Sequence, residues 1–382
     1  MASRLYRTTR QLFVAVEQAL LRLQLSSLGT PTLAALITLV VTGLILLDAR
    51  PTHTRLARFL PARCHDAFNR LLCDMPFSSR ALSALLLAFA KRLGRDGYLI
   101  LDDVIVEKAR AKQLRWAARI YSFAKKRSVW GFQIIVLLWC STDGHWRIPV
   151  GFRLWRPKRS CRKERYQTKL QLAEQLVLAV VRSGLPIEYI VGDTHYTAGW
   201  FTKHLAGLGV TWQGTLDPKT HVVWRGKQQS VRDLAPQLKL KWRKQLQVRA
   251  TALCVYAPKY GHIRLVVVKN RHGNWEYLVT NALHADLTTI VERKRRRWSI
   301  ETMFRDSKQF ANLEGCQCRV DQALVRHVAL VFLTFVVLQL LRERPDEAVA
   351  SVKERWQLAI LRDGEQAPAP LRACPPELRP TA

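Results

Sequence analysis

Two adjacent carboxylates lie inside a short apolar run, and this feature constrains the fold more than any other. The run Tyr98–Val106 is rich in aliphatic and β-branched residues and follows Gly97, as a buried strand does. Asp102 and Asp103 stand in its middle, where a charge without a partner is costly. Because side chains alternate along a strand, the two carboxylates face opposite sides of the sheet. One can point to a site at the strand's exit while the other meets solvent or a helix.

The remaining pattern predicts an α/β fold. Apolar β-branched runs predict strands at 129–140, 146–155, 187–191 and 210–216, and amphipathic runs predict helices at about 163–183 and 198–207. Three strands therefore come first, followed by alternating helices and strands, which is typical of a mixed sheet flanked by helices. Residues 217–280 contain further strands and no long helical pattern, so they form a β-rich insertion.

The charge balance points to a polyanionic partner. The 382 residues include 61 Lys and Arg against 29 Asp and Glu, which gives a net charge of +32. Nucleic acid is the leading partner, because neutralised phosphates release counterions. A ribosomal-type protein or a basic membrane-surface protein is the alternative. The apolar runs 33–47 and 328–341 fall short of the roughly 20 residues that span a bilayer, so we expect buried helices and no membrane partner.

These observations give a domain organisation. Residues 1–95 are predicted to form a helical DNA-binding domain, with a helix-turn-helix at 56–72. Residues 96–216 and 285–352 are the two parts of the core, separated by an insertion at 217–284, and a Pro-rich tail at 353–382 is predicted to be disordered. Scattered cysteines without a secretory leader indicate a reducing compartment, hence the cytoplasm.

Two more carboxylates are candidates for the same site. Asp193 follows the predicted strand 187–191, and ligands gather at the carboxyl ends of strands in open α/β sheets. Glu301 lies on a predicted helix whose cationic stripe includes Arg297, Arg305 and Lys308. A helix-capping Asp and an ordinary surface helix are the structural alternatives. Together with Asp103, these two residues form a set of carboxylates that could hold two Mg²⁺ ions, or Mn²⁺, for phosphodiester chemistry.

Three stretches resemble the DDE transposases of bacterial insertion sequences, of the IS4-like and IS701-like kind. The first runs from Tyr98 to Val104, and the second from Tyr189 to Tyr196. In the third, Arg297, Glu301 and Lys308 match a Tyr-x2-Arg-x3-Glu-x6-Lys signature, with Lys294 where that family has Tyr. Val104 stands where Thr is common in the family, so the choice between Asp102 and Asp103 stays open, with Asp103 preferred.

The resemblance implies a fold, a reaction and partners. The fold would be an RNase H-like core, often with a β insertion before the glutamate. Asp103, Asp193 and Glu301 would be the catalytic metal ligands, and Arg297 and Lys308 would contact phosphates near the cut. The enzyme would cut and join double-stranded DNA at terminal inverted repeats, as a homodimer, in the bacterial cytoplasm at the nucleoid. A stand-alone nuclease with this core, and a non-catalytic DNA-binding protein derived from such an element, are the rival functions.

Other residues are expected to contact DNA. Helix geometry adds Arg305, and His195 and Tyr196 follow Asp193 closely enough to touch the scissile strand, although packing in the core or the turn explains them equally well. Three basic clusters are expected to follow the DNA backbone; they are 125–127, 156–159 and 293–297, the last of which includes Lys294, Arg295 and Arg296.

Overall fold

The computed structural model describes residues 2–47, 65–75, 77–111, 114–162, 165–316, 318 and 320–364. The helices are α1 (Ala2–Arg22), α2 (Pro31–Leu46), α3 (His65–Cys73), α4 (Ser79–Arg92), α5 (Lys169–Ser183), α6 (Gly199–Gly207), α7 (Val231–Leu234), α8 (Leu287–Arg296), α9 (Trp298–Phe310), α10 (Asp321–Leu340) and α11 (Val349–Gly364). The strands are β1 (Gly97–Glu107), β2 (Ala118–Ser122), β3 (Arg127–Ser141), β4 (Arg147–Trp155), β5 (Ile190–Gly192), β6 (Trp212–Thr215), β7 (His221–Trp224), β8 (Lys227–Ser230), β9 (Lys241–Arg243), β10 (Val248–Ala257), β11 (Gly261–Lys269) and β12 (Trp275–Thr280).

The centre of the fold is a mixed sheet in the order β4-β3-β1-β5-β6. Strand β3 is antiparallel to both β1 and β4, whereas β1, β5 and β6 are parallel. Parallel neighbours need crossover connections, and α5 and α6 provide them. This arrangement confirms the predicted α/β fold, which is RNase H-like, with a large mixed sheet flanked by helices.

The register of β1 separates the two faces of this sheet. Asp102 lies opposite Val136, which lies opposite Phe152, so these side chains share one face. On that face the ring of Phe152 meets that of Phe332 on α10, with the ring centroids 5.4 Å apart. Asp103 is on the other face, where Lys169 at the start of α5 lies 3.2 Å away. Each carboxylate therefore faces a different helical layer.

The β-rich insertion extends the same sheet. Its strands continue the order beyond β6 as β12-β11-β10-β7-β8, with β9 paired to β10. At the junction, the Thr280 hydroxyl donates to the Trp212 carbonyl at 2.6 Å, and the Gln213 amide donates to the Ile290 carbonyl of α8 at 2.7 Å. Helix α8 packs across β6, β10 and β12, and α9 then reaches β1. After the insertion, the chain thus returns through α8 and α9 to β1, at the centre of the sheet.

Helices α2 and α10 form the apolar centre of the helical layer. Both are apolar on all sides, and they pack against each other. By length and composition alone, α10 could span a membrane, but 89% of its most apolar window is buried inside the protein. It therefore has the burial of a core helix, as the sequence predicts for this apolar run.

The C-terminal region differs from the sequence prediction. The composition predicts disorder from residue 353 onward, yet α11 continues through Val349–Gly364. Val352 is fully buried, and the Lys353 ammonium, which is also buried, donates to the carbonyls of Leu44, Leu47 and Phe310. The packing of these two residues stabilises α11. The sequence did not predict this part of the helix, because the prolines that follow it dominate the composition of the segment. Residues 365–382 lie outside the described residues, as do residues 48–64, which include the first part of the predicted helix-turn-helix.

Candidate active site

Asp102 and Asp193 follow the last paired residues of two parallel strands. The ladder between β1 and β5 ends with Leu101 opposite Gly192, so the next residue of each strand carries a carboxylate. Neighbouring strands lie about 4.8 Å apart, which brings these two carboxylates together. One oxygen of Asp193 accepts from the backbone N–H of His195 at 2.9 Å and so fixes the turn after β5. The capping role that the sequence allowed for Asp193 is therefore present beside its place at the site.

Arg297 connects Asp102 to Glu301. It lies at the junction between α8, which ends at Arg296, and α9, which begins at Trp298. Its guanidinium donates to Asp102 at 2.7 Å and also to the carboxylate of Glu301. Asp102 and Glu301, remote from each other in the chain, are thus bound to one cation on one face of the sheet.

The pKa of Asp102 reflects the burial of its carboxylate and the charges around it. Burial, and next the nearby charge of Asp193, raise its pKa to about 7, against the opposing effect of Arg297. A carboxylate that is buried next to another carboxylate resists ionisation, because its charge is poorly solvated and repelled. An added cation would relieve this cost, so the electrostatics suit a positively charged ligand.

Asp103, the first ligand preferred from the sequence, faces away from Arg297 and Glu301. Its carboxylate accepts from the Tyr196 hydroxyl at 2.9 Å, from Lys169 at 3.2 Å and from the amide of Gln133. Strand alternation places it on the face opposite Arg297 and Glu301. Arg297 therefore joins Asp102 to Glu301, whereas Tyr196 contacts both Asp103, through its hydroxyl, and Asp193, through its backbone N–H.

The fit of a metal ion to the three carboxylates depends on Arg297. Among the residues that the structure describes, no group of three or more His, Cys, Asp or Glu side chains is arranged to hold a metal ion as it stands. Arg297 takes the central position, since its guanidinium binds both Asp102 and Glu301. The donor set nevertheless suits a divalent cation, because Mg²⁺ prefers a few carboxylates together with water and phosphate oxygens. Binding at these residues requires Arg297 to release at least one carboxylate.

Comparisons with known proteins identify the family of this chain. Residues 25–239, more than half of the chain, match the family described as DDE superfamily endonuclease. The chain belongs to this family. A probable transposase for insertion sequence element IS5377 from Geobacillus stearothermophilus is 28% identical over 81 residues, which cover 21% of this chain and only 22% of that protein. The matched family segment contains Asp102 and Asp193 and ends before Glu301.

Membership of the DDE endonuclease family carries two consequences. The chain belongs to a family of endonucleases, and such endonucleases generally use divalent metal ions. The match also agrees with the resemblance that the sequence motifs carry.

Lys308 is a second cation that contacts β1. It lies two turns after Glu301 on α9, and its ammonium donates to the Ile105 carbonyl of β1 at 3.1 Å. An ion pair with Glu314 at 2.8 Å holds it there. Arg305, by contrast, is exposed and pairs with Asp306 at 3.1 Å. The structure therefore brings Lys308 to β1, whereas the described partner of Arg305 lies outside the carboxylate cluster.

The basic cluster at the end of α8 is engaged elsewhere. Lys294 pairs with Glu276 of β12 at 3.4 Å, and Arg295 donates to the Leu246 carbonyl in the insertion. Arg296 lies over the ring of Tyr98, 5.8 Å from its centroid. These three side chains hold α8 against the sheet and the insertion. Their described contacts do not include Asp102, Asp193 or Glu301.

His195 and Tyr196 have different surroundings. The Tyr196 side chain is buried, and burial followed by the charge of Asp103 raises its pKa well above the ordinary value. His195 is exposed, and desolvation followed by the nearby Lys169 lowers its pKa. Tyr196 is therefore a packed positioning residue, whereas His195 stays accessible beside Asp193.

Two residues of the Asp103 network were absent from the sequence-based candidates. Lys169 starts α5 and reaches Asp103 only because the crossover places that helix end over β1. Gln133 was visible as a polar residue inside the apolar strand β3, and such a residue needs a buried partner. That partner is Asp103.

Aromatic rings support the cluster at 156–159. The guanidinium of Arg156 lies 4.0 Å from the ring centroid of Trp116, and that of Arg159 lies 5.2 Å from the centroid of Trp130. Stacking orients a guanidinium without neutralising it. The chain therefore presents two oriented positive charges beside the rings of Trp116 and Trp130.

Proposed function

We propose that this DDE endonuclease is a transposase that cuts DNA at the ends of a mobile element and joins the freed end to target DNA. The observation that carries the proposal is that Arg297 binds both Asp102 and Glu301, while the charge of Asp193 acts on Asp102 from the neighbouring strand. Their carboxylates are assigned as ligands of two Mg²⁺ ions, for which Mn²⁺ can substitute. Asp102 replaces Asp103 as the first ligand, since only Asp102 shares a face with Glu301.

The bound metal ions would activate the attacking oxygen and stabilise the leaving oxygen of an in-line displacement. The protein's own groups bind and orient the DNA strand. When Arg297 leaves the carboxylates, its planar guanidinium can bind a phosphate through two parallel hydrogen bonds. Lys308, further along α9, neutralises a neighbouring phosphate, and the accessible His195 lies beside the strand at Asp193. Positioning and charge neutralisation are thus the protein's main contributions to catalysis.

The charge of the whole chain favours contacts along an extended stretch of DNA. A net charge of +32 favours binding along a duplex, with release of condensed counterions. We assign recognition of the terminal inverted repeats to the N-terminal helices, and further backbone contacts to Arg305 and the cluster Lys294, Arg295 and Arg296. Bringing two ends together calls for a homodimer on the DNA. The expected setting is the bacterial cytoplasm, at the nucleoid.

Substitution of the carboxylates tests the proposal. Purified D102N, D193N and E301Q proteins are compared with wild type for Mg²⁺-dependent cleavage of supercoiled DNA carrying the element's ends. Each variant is expected to lose more than about 100-fold in rate, because even neighbours of metal ligands contribute about 10- to 100-fold. D103N is the matched control and should lose no more than about 10- to 100-fold, since it loosens Tyr196 and Lys169 without removing a ligand.

The outcomes separate the rival functions. Loss of activity in D103N with retention in D102N would return the first-ligand role to Asp103. Joining of a pre-cut end to a target plasmid distinguishes a transposase from a stand-alone nuclease, which only cuts. A wild-type protein that binds the ends but neither cuts nor joins them, with the three variants indistinguishable from it, would leave a non-catalytic DNA-binding protein.

A further inference from the structure

A second basic site lies at the outer edge of the sheet, away from the carboxylates. A cavity of about 290 Å³ opens beside β4. Four arginines line it, and we call it the arginine pocket: Arg80 at the start of α4, Arg153 on β4, and Arg156 and Arg165 in the segment between β4 and α5. Trp116 forms part of the wall.

Arg153 is the least satisfied of these four cations. Its Nε is buried and has no hydrogen-bond partner among the described residues, while one terminal nitrogen donates to the Phe152 carbonyl at 2.9 Å. Burial, followed by the charge of Arg80, lowers its pKa. A half-buried guanidinium next to a second guanidinium is unfavourable unless an anion compensates both.

Neutralisation of the pocket from within is incomplete. No described residue that lines it is acidic. The charge of Asp321 acts on Arg156 from outside the lining, but Asp321 already pairs with Arg115 at 3.4 Å. Trp116 orients the Arg156 guanidinium by stacking and leaves its charge in place. The remaining polar groups of the lining include the amides of Gln167 and Gln175, which can donate further hydrogen bonds.

Position links the arginine pocket to the active site. Asp102 lies opposite Val136, which lies opposite Phe152, and Phe152 lines the pocket two strands away from β1, on the face of the sheet that carries Asp102. Strand spacing puts the backbones of Asp102 and Phe152 roughly 10 Å apart. Successive nucleotides of one strand advance about 3.4 Å along the duplex axis. A DNA strand held at the carboxylates would therefore present another phosphate to the pocket within a few nucleotides.

We propose that the arginine pocket binds a backbone phosphodiester of the DNA strand, a few nucleotides from the cut. The assignment rests on the proposed function in one respect, that the anion belongs to DNA. Planar guanidinium groups bind phosphate oxygens in pairs, and four of them around one cavity give a fixed phosphate position. The pocket thereby sets the register of the strand at the carboxylates.

Protection of Cys161 gives a direct test, because its side chain lines the same pocket. The full chain is treated with iodoacetamide in EDTA, with and without a short double-stranded oligonucleotide, and alkylation is read by mass spectrometry. Slower labelling of Cys161 is expected with DNA. The exposed Cys254 on β10 is the internal control and should label at the same rate in both samples. Inorganic phosphate and pyrophosphate are run as separate additions, and protection by these anions but not by DNA would overturn the DNA assignment.

Charge variants give an independent readout. R80Q/R165Q removes two exposed arginines of the pocket, and R271Q/R362Q removes two exposed arginines elsewhere as the matched control. DNA affinity is measured by fluorescence anisotropy over a salt series. The slope of log Kd against log salt should fall by about 0.9 for each phosphate that R80Q/R165Q no longer neutralises, with the control unchanged. Equal slopes in all three proteins, with Cys161 unprotected, would overturn the pocket assignment and leave the endonuclease function standing. Failure of wild type to bind DNA at all would instead refute the proposed function.

Discussion

The protonation of Asp102, a proposed metal ligand, also affects the free energy of unfolding. In the folded chain its pKa is about 7, against an ordinary value of 3.8. The folded state therefore holds this proton more tightly than the unfolded state does. The resulting stabilisation is complete below the ordinary pKa and is lost as pH rises towards and through 7. At neutral and higher pH the metal-free protein carries the cost of ionising a buried, crowded group.

The first prediction follows from the direction of this pKa shift. D102N removes the titration, so in EDTA its melting temperature should gain on that of wild type as pH rises from about 4 to about 7, and then level off. Thermal unfolding in matched buffers measures the difference. D96N, which removes an exposed carboxylate just before β1, is the matched control. A difference in melting temperature between D102N and wild type that stays constant with pH would show that the pKa of Asp102 is not raised in the folded chain.

Gly214 on β6 tests how Asp193 is held. A Cβ at this position would lie 2.0 Å from the Thr197 hydroxyl oxygen, so the threonine would have to move. That hydroxyl donates to the Asp193 carbonyl at 2.7 Å. We expect G214A to lower the cleavage rate by about tenfold to 100-fold, because small displacements of catalytic groups are costly, while DNA affinity stays unchanged.

Gly207 supplies the control for this prediction. It ends α6, and a Cβ there meets no atom within 4 Å, so G207A should keep the wild-type cleavage rate. Single-turnover cleavage with saturating DNA separates a change in rate from a change in binding. Wild-type rates in G214A would mean that Thr197 does not position Asp193.

At the scale of secondary-structure elements, the junction between α8 and α9 defines the site. The spacing of Arg297, Glu301 and Lys308 predicted one cationic stripe on a single helix, and two of these residues do lie on α9. Arg297 instead occupies the break between the helices, from which it reaches β1. Sequence periodicity cannot indicate such a break, because the tertiary contact with Asp102 stabilises it and is not encoded locally.

Starts and ends of elements were predictable only where capping residues act locally. The helix expected at 163–183 begins at Lys169, where Thr168 and Gln171 form a capping box, and it ends at Gly184 with a positive φ. Strand β2 was not predicted, since its five residues are too few to give a clear alternating pattern. Its position depends on pairing with β3, which extends beyond β1.

Lys353 gives an element-scale prediction about the last helix. Its ammonium bonds the carbonyls at the ends of α2 and α9, so K353M would leave these acceptors buried without their donor. The free energy of unfolding should fall by about 2–4 kcal/mol. Urea titration measures it, and K227M, at an exposed position on β8, should change it by less than about 0.5 kcal/mol. An unchanged midpoint in K353M would show that α11 does not stabilise the helical layer.

The whole molecule combines predictable and unpredictable features. The strand pattern, the β-rich insertion and the acidic residues at strand ends follow from residue type and spacing. The continuous sheet from β4 to β8 does not, because hydrogen bonds such as those of Gln213 and Thr280 join segments distant in the chain. The same holds for the positions of Asp102 and Asp103, since strand alternation separates their faces but only the packing of α8 and α9 determines which of them meets Arg297.

Iron-mediated cleavage of the protein itself tests the central claim, that Asp102, Asp193 and Glu301 bind divalent metal together. Fe²⁺ substitutes for Mg²⁺, and with ascorbate and peroxide it generates radicals that cut the backbone near the bound ion. We expect cuts close to all three residues in the full wild-type chain, suppressed by excess Mg²⁺ and abolished in D102N and E301Q, but retained in D103N. Cuts confined to other segments, or cuts at these segments that neither Mg²⁺ nor the D102N and E301Q substitutions diminish, would contradict the account.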